Sequence, residues 1–238
     1  MKAIWEGMTQ PVRPNDIVKL AVGPFKEKES QFSNWEAILS EIIVGDSVGV
    51  ASFCGGIKME RLQRAAVLSF LAQELLKNGS WCGETHIQKA VYLLQEICEV
   101  PTGFEFILYM YGPFSFDLSD ELTSIRADGL LKIAVQYPYG PKLVPTDAAE
   151  AVQKRFPKTM QKYGKPVVFI ASKIGAKTVA DLEKLATALY VERKYDLDDE
   201  DIDSWARQMN ALKSHVSVDA ARAAIEDLQQ IEDEASEM

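Results

Sequence analysis

The segment between Thr85 and Leu131 constrains the fold more than any other part of the chain. It opens with an amphipathic helical pattern, in which Thr85 and Gln88 have the spacing of a capping box. An alternating aromatic run then begins at Phe104 and predicts a strand buried on both faces. That run ends in the turn sequence Tyr111-Gly112-Pro113-Phe114-Ser115.

A second helix and a hairpin are predicted directly after this turn. Ser115 can cap the helix, and Gly129 can supply the left-handed residue that ends it. Mostly apolar segments, residues 130–137 and 142–144, flank Pro138-Tyr139-Gly140-Pro141, which predicts a β-hairpin. Helix, strand, helix and hairpin in this order predict a winged-helix-like core with a small β-hairpin wing.

Helical patterns flank this core on both sides. A helix from Glu60 ends at Asn78-Gly79. Downstream, a helix from Thr146 is broken at Pro157, and residues 165–174 form a short apolar segment. Three further helices follow, capped or begun at Thr178, Ile202 and Ser217. The predicted class is therefore mostly α (α+β), with a C-terminal helical bundle.

These patterns predict three regions along the chain. Residues 1–58 read as an N-terminal extension of unclear structure, interrupted by prolines and ending in a glycine-rich stretch. Residues 59–146 form the winged-helix-like core, and residues 147–238 form a C-terminal acidic helical region. Because Met59 stands directly before a strong helix, one hypothesis is that translation starts there.

Composition favours a cytoplasmic protein with a sizeable core. The chain has 238 residues, of which 47% are hydrophobic, and no apolar run long enough to cross a bilayer. A secretory signal pattern is absent from the N-terminal residues. Three cysteines cannot all pair with one another, which is typical of a reducing compartment.

The negative charge is concentrated in the last quarter of the chain. Residues 176–238 hold 7 basic and 16 acidic side chains, a balance of −9 that equals the net charge of the whole chain. Such a surface repels nucleic acid and favours either a basic protein partner or simple solubility.

Catalytic and cofactor motifs are not evident, so we expect no enzyme activity and no cofactor. The sequence contains neither a phosphate-binding loop nor a Cys-x-x-Cys pair. Asp117, Asp120 and Glu121 leave a metal-dependent hydrolase open as an alternative. Their place in the first turn of a helix, where the dipole stabilises carboxylates, explains them without catalysis.

A DNA-binding transcriptional regulator is the other alternative. The helix that would enter the major groove, residues 115–128, carries four carboxylates against Arg126, which disfavours contact with a polyanion. One basic stripe could contact DNA phosphates. Alternatively, it is a solvated face, or it docks the acidic C-terminal helices of the same chain. It consists of Lys154, Arg155, Lys158 and Lys162.

The favoured hypothesis is a protein-interaction module without catalysis. Most of the aromatic residues between Phe104 and Phe116 are expected in the core, but some can line a surface groove with a charged rim. The expected apolar contacts are Tyr109, Tyr111 and Phe114, and the expected acidic residues that steer a basic partner are Asp117, Asp120 and Glu121.

Three motifs resemble the YwgA-type family of prokaryotic proteins and, more distantly, the Panacea and SocA antitoxin group. They are the Gln88–Gln95 run with Lys89, Tyr92 and Leu93, the Tyr111-Gly112-Pro113 turn, and Glu121-Leu122 to Gly129-Leu130-Leu131. The resemblance covers about residues 59–231. It implies a mostly helical, winged-helix-like prokaryotic protein without known catalysis, some of whose distant relatives neutralise toxins or present them to a protease.

Overall fold

Helices hold most of the residues that the structure, a computed structural model, describes. The described residues are 59–135, 140–195 and 201–238; the expected N-terminal extension, residues 1–58, lies outside them. They belong to Gly55–Met238, one of two compact units into which the chain divides. The described helices are α1 (Arg61–Lys77), α2 (Glu84–Glu96), α3 (Phe116–Ala127), α4 (Asp147–Arg155), α5 (Pro157–Ile174), α6 (Val179–Tyr195), α7 (Ile202–Leu212) and α8 (Val218–Ser236).

Two small antiparallel sheets interrupt the helices. Strand β1 (Ile107–Tyr109) pairs with β2 (Gly112–Phe114), and Tyr109 lies opposite Gly112 at the turn. Strand β3 (Leu131–Ala134) pairs with β4 (Lys142–Pro145). The second sheet confirms the predicted hairpin, whose tip, residues 136–139, lies outside the described residues.

Three of the predicted capping signals are confirmed. The Ser115 hydroxyl accepts a hydrogen bond from the Leu118 N–H at 3.3 Å, and the Ser217 hydroxyl accepts one from the Ala220 N–H at 3.2 Å. Gly129 follows α3 with a φ of +75°, in the left-handed region that favours glycine. Each signal depends on residues only a few positions apart, so the local sequence suffices to set it.

The core forms around α1, whose central turns are buried. Helices α4 and α5 pack against α1, while α6 packs against α2, α7, α8 and strand β2. Residues before and after position 146 therefore share one hydrophobic core. The buried indole of Trp205, on α7, donates a hydrogen bond to the Ala188 carbonyl of α6 at 3.1 Å.

Two predictions about α2 and β1 are wrong. Helix α2 begins at Glu84 after Gly83, so Thr85 forms no capping box, and Gln88 is buried against Ser115 instead. The strand predicted from Phe104 to Tyr111 shrinks to three residues, with Ile107 and Tyr109 about half exposed. The reason is that α2 and α6 pack against its partner strand β2, while among the described elements β1 packs extensively only on β2.

The predicted helix break at Pro157 is confirmed, but the separate segment 165–174 is not. Helix α4 ends at Arg155, and α5 starts at Pro157 and continues through Pro166 to Ile174. Pro166 removes one backbone donor. Burial of Val167 and Ile170 keeps the helix continuous past it, because α5 packs closely on α1. None of the described helices combines the length and the apolar character needed to cross a membrane.

Candidate partner-binding site

An exposed apolar surface surrounds the turn between β1 and β2. We call it the aromatic patch; it consists of Ile107, Tyr109, Met110, Tyr111, Phe114 and Phe116. All of these are about half exposed or more, except Phe114, which is partly buried. The rings of Tyr109, Phe114 and Phe116 pack together, with centroids 5.1 to 5.9 Å apart. A contiguous exposed apolar surface of this kind is typical of a site of interaction.

Gly112 allows the turn to sit close to α6. Its φ of +82° lies in the left-handed region, and a Cβ built there would lie 3.1 Å from the Thr187 hydroxyl and 3.3 Å from the Glu183 carbonyl. A side chain at this position would therefore be strained and crowded.

Buried side chains from two distant parts of the sequence hold the turn backbone. The Lys213 ammonium, just after α7, donates to the carbonyls of Tyr109 at 2.6 Å and of Met110 at 2.5 Å. The Lys89 ammonium, on α2, donates to the Pro113 carbonyl at 2.8 Å. We call this arrangement the lysine clamp. It fixes the backbone of the turn while its aromatic side chains face solvent.

Gln88 extends the lysine clamp to the end of the turn. Its side-chain amide donates to the Ser115 carbonyl and accepts from the Ser115 N–H, both at 2.9 Å. This double contact satisfies two buried backbone groups at once. Both Gln88 and Lys89 belong to the α2 motif of the family resemblance, and Tyr111-Gly112-Pro113 is the turn that they hold.

Glu183 balances the charge of the lysine clamp. Its Oε1 lies 3.5 Å from the Lys213 Nζ and 3.2 Å from the His215 Nε2. Lys89 is only 1% exposed, and burial lowers the pKa of its ammonium to about 8; Glu183 opposes this shift and Lys213 adds to it. Of the two buried ammonium groups, Lys213 pairs directly with this buried carboxylate, Lys89 feels its charge from farther away, and both donate to backbone carbonyls.

Five of the six residues that the sequence predicted for this site are exposed or partly exposed in the structure. Tyr109, Tyr111 and Phe114 belong to the aromatic patch, and Asp117 and Asp120 are exposed on α3.

Glu121 is the exception, because it is buried against α1. Its carboxylate lies 3.2 Å from Arg64 and 3.7 Å from Arg61. It therefore joins α3 to α1 and cannot steer a partner. The predicted hydrolytic set loses one of its three members for the same reason. Within residues 59–135, 140–195 and 201–238, no three His, Cys, Asp or Glu side chains are arranged to hold a metal ion.

The basic stripe is fully solvated. Lys154, Arg155, Lys158 and Lys162 are all exposed, and Lys154 contacts Glu150 at 3.5 Å. The idea that this stripe docks the acidic C-terminal helix is wrong. Helix α8 pairs instead through Asp227 with Lys177, through Glu232 with Arg193 and through Glu234 with Lys173.

Sequence reasoning missed Ile107, Met110 and Phe116 in the patch, and it missed the whole lysine clamp. Ile107, Met110 and Phe116 were assigned to the core, because an alternating apolar run does not show which face is covered. The clamp residues lie 24 to 104 positions from the carbonyls they bind. The Gly-Pro turn was visible in the sequence, but its partners were not.

The two cysteines among the described residues are free thiols. Burial raises the pKa of Cys82 to about 12 and of Cys98 to about 11, so neither is a thiolate nucleophile at neutral pH. The aromatic patch and its lysine clamp therefore remain the most distinctive candidate site in the described part of the chain. No family model, no curated protein and no solved structure matches this chain.

Proposed function

We propose that the chain is a cytoplasmic, antitoxin-like interaction module that binds a partner protein through the aromatic patch and catalyses no reaction. The observation that carries the proposal is the exposure of Tyr109 and Tyr111 at a turn held by buried lysines, with Phe116 exposed at the start of α3. Because these side chains are about half exposed, each forgoes about half of the roughly 1.5–3 kcal/mol that full burial gives. A preorganised turn also lowers the entropy lost on binding.

A winged-helix interpretation of the fold belongs to the same proposal. We interpret α1, α2, α3 and the β3–β4 hairpin as a winged-helix-like core, in which α3 takes the place of the reading helix. Asp117 and Asp120 are exposed on α3, at the edge of the aromatic patch. Negative charge there disfavours DNA and favours a partner with a basic rim.

Affinity capture with the tagged full chain from its host tests this proposal. A captured protein that is then purified should bind at near-equal stoichiometry in calorimetry. The double change Tyr111→Ser and Phe116→Ser should weaken that binding at least about tenfold, or 1.4 kcal/mol. Tyr195→Ser, at a tyrosine 41% exposed on α6, is the matched control and should not change it. Equal binding by the patch variant would contradict the proposed face.

DNA binding through the basic stripe is the second candidate function. Its support is that the four side chains are exposed on consecutive helices. It predicts duplex binding that weakens steeply with salt and is lost when Lys158 and Lys162 become alanine. Fluorescence anisotropy with a labelled duplex measures this directly.

A further inference from the structure

A cleft of about 210 Å³ opens beside the segment that leads into β1. Three aromatic rings line it: Tyr92 from α2, Phe106 before β1, and Tyr190 from α6. The Tyr92 centroid lies 5.0 Å from that of Phe106 and 6.4 Å from that of Tyr190. Because Phe106 directly precedes Ile107, the cleft adjoins the aromatic patch along the chain.

The Tyr92 hydroxyl is an unused polar group in this cleft. The residue is only 3% exposed, and among the described residues its hydroxyl makes no hydrogen bond. Burial, reinforced by the charge of Glu96, raises the pKa of this phenol well above its usual range, so the hydroxyl stays protonated. The hydroxyl oxygen is not among the fully buried unpaired polar atoms, so it faces the cleft and is available to a ligand as a hydrogen-bonding group.

The charges around the cleft favour a cation. Arg193 lines the cleft, but its guanidinium already contacts Glu192 at 3.1 Å and Glu232 at 2.7 Å. Glu96 also lines the cleft and has no ion pair with a described residue.

The exposed Lys194 places its ammonium 5.5 Å from the centre of the Tyr190 ring. That ring face therefore already accepts a cation from this chain, and an exposed lysine is readily displaced.

We propose that this cleft binds a basic side chain, lysine or arginine, of the partner protein. The cation rests against the Tyr190 and Phe106 rings in place of Lys194, with Glu96 as its counter-charge. The Tyr92 hydroxyl accepts a hydrogen bond from one N–H group of that cation. This inference rests on the proposed function. It adds that the partner inserts a basic side chain next to the aromatic patch.

Titration of the full chain with n-butylguanidinium, followed by NMR of the aromatic protons, tests the cleft without any partner. Saturable shifts at the three rings are expected, with a dissociation constant on the order of 1 mM. The neutral isostere n-butylurea and the anion butyrate should bind at least about tenfold more weakly. Equal binding of the urea, preferred binding of butyrate, or no saturable shift would overturn the proposal.

Two variants give effects of opposite sign. Glu96→Gln should weaken n-butylguanidinium binding about tenfold, because the counter-charge is lost. Lys194→Ala should strengthen it about twofold, because the competing ammonium is removed. Glu150→Gln, at an exposed glutamate of α4, should leave it unchanged. If Lys194→Ala weakened binding, the assignment to a cation would be wrong. If n-butylguanidinium binds as expected but no partner protein is captured, the proposed function alone is rejected. If a partner is captured but n-butylguanidinium does not bind, the cleft proposal alone is rejected.

Discussion

The aromatic patch and the basic stripe are both exposed, yet they differ in the free-energy cost of exposing their side chains to water. Lysine and arginine at the surface of α4 and α5 are well hydrated, so the stripe needs no ligand to explain it. Tyr111, at a turn that buried ammonium groups fix, and Phe116, at the start of α3, are exposed to water at a free-energy cost. The contrast shows that an exposed group indicates binding only when exposure is unfavourable and the backbone beneath it is constrained.

The largest effect is expected where the lysine clamp is cut. Lys213→Met removes the donors to the Tyr109 and Met110 carbonyls and leaves Glu183 short of a counter-charge. The free energy of unfolding should fall by about 3 kcal/mol. Urea denaturation measures this. The same change in the basic stripe, Lys162→Met, should stay within about 0.5 kcal/mol. If both substitutions lowered the free energy of unfolding equally, the lysine clamp would not constrain the turn more than the basic stripe constrains its helices.

A smaller loss of stability is expected from Gly112→Ala. The alanine would adopt a positive φ and would also crowd Thr187 and the Glu183 carbonyl, so unfolding should become easier by about 2 kcal/mol. Gly129→Ala is the matched control, since its φ is also positive but nothing lies near its added Cβ. Gly112→Ala should therefore cost more than Gly129→Ala in thermal or urea unfolding. The reverse order would show that the turn does not press on α6.

Changes within the aromatic patch should separate stability from binding. Tyr111→Ser removes a ring that is 59% exposed, so the free energy of unfolding should change by less than about 0.5 kcal/mol. The affinity for the captured partner should nevertheless fall severalfold, measured by calorimetry. A variant that unfolds as readily as Gly112→Ala would mean that the ring supports the fold rather than a partner.

A pH dependence of stability is also expected from Lys89. Its pKa is lowered to about 8 from 10.5, so between these values the unfolded chain binds more protons than the folded one. Stability should therefore rise with pH in this window, and the penalty for the buried charge should be fully present below about pH 8. Urea unfolding at pH 7.5, 8.5 and 9.5 measures the slope. The Lys89→Met variant should lose the part of this pH slope that Lys89 contributes. If the slope were the same in the variant, Lys89 would be solvated in the folded protein.

The sequence predicted well those features that depend on neighbouring residues. The caps at Ser115 and Ser217, the left-handed Gly129 and the break at Pro157 each reflect contacts within about four positions. Helix α7 begins and ends where its apolar spacing predicted. The mostly helical class follows from the same local signals.

What the sequence by itself determined was thus where the chain turns, begins a helix and ends one, because backbone geometry and capping are short-range. Only the tertiary structure decided which side chains face water. It turned Glu121 inward to Arg64, exposed Ile107, and placed Lys213 on carbonyls more than a hundred positions away. Burial depends on which distant elements pack against a face. An alternating or periodic sequence pattern does not identify those elements.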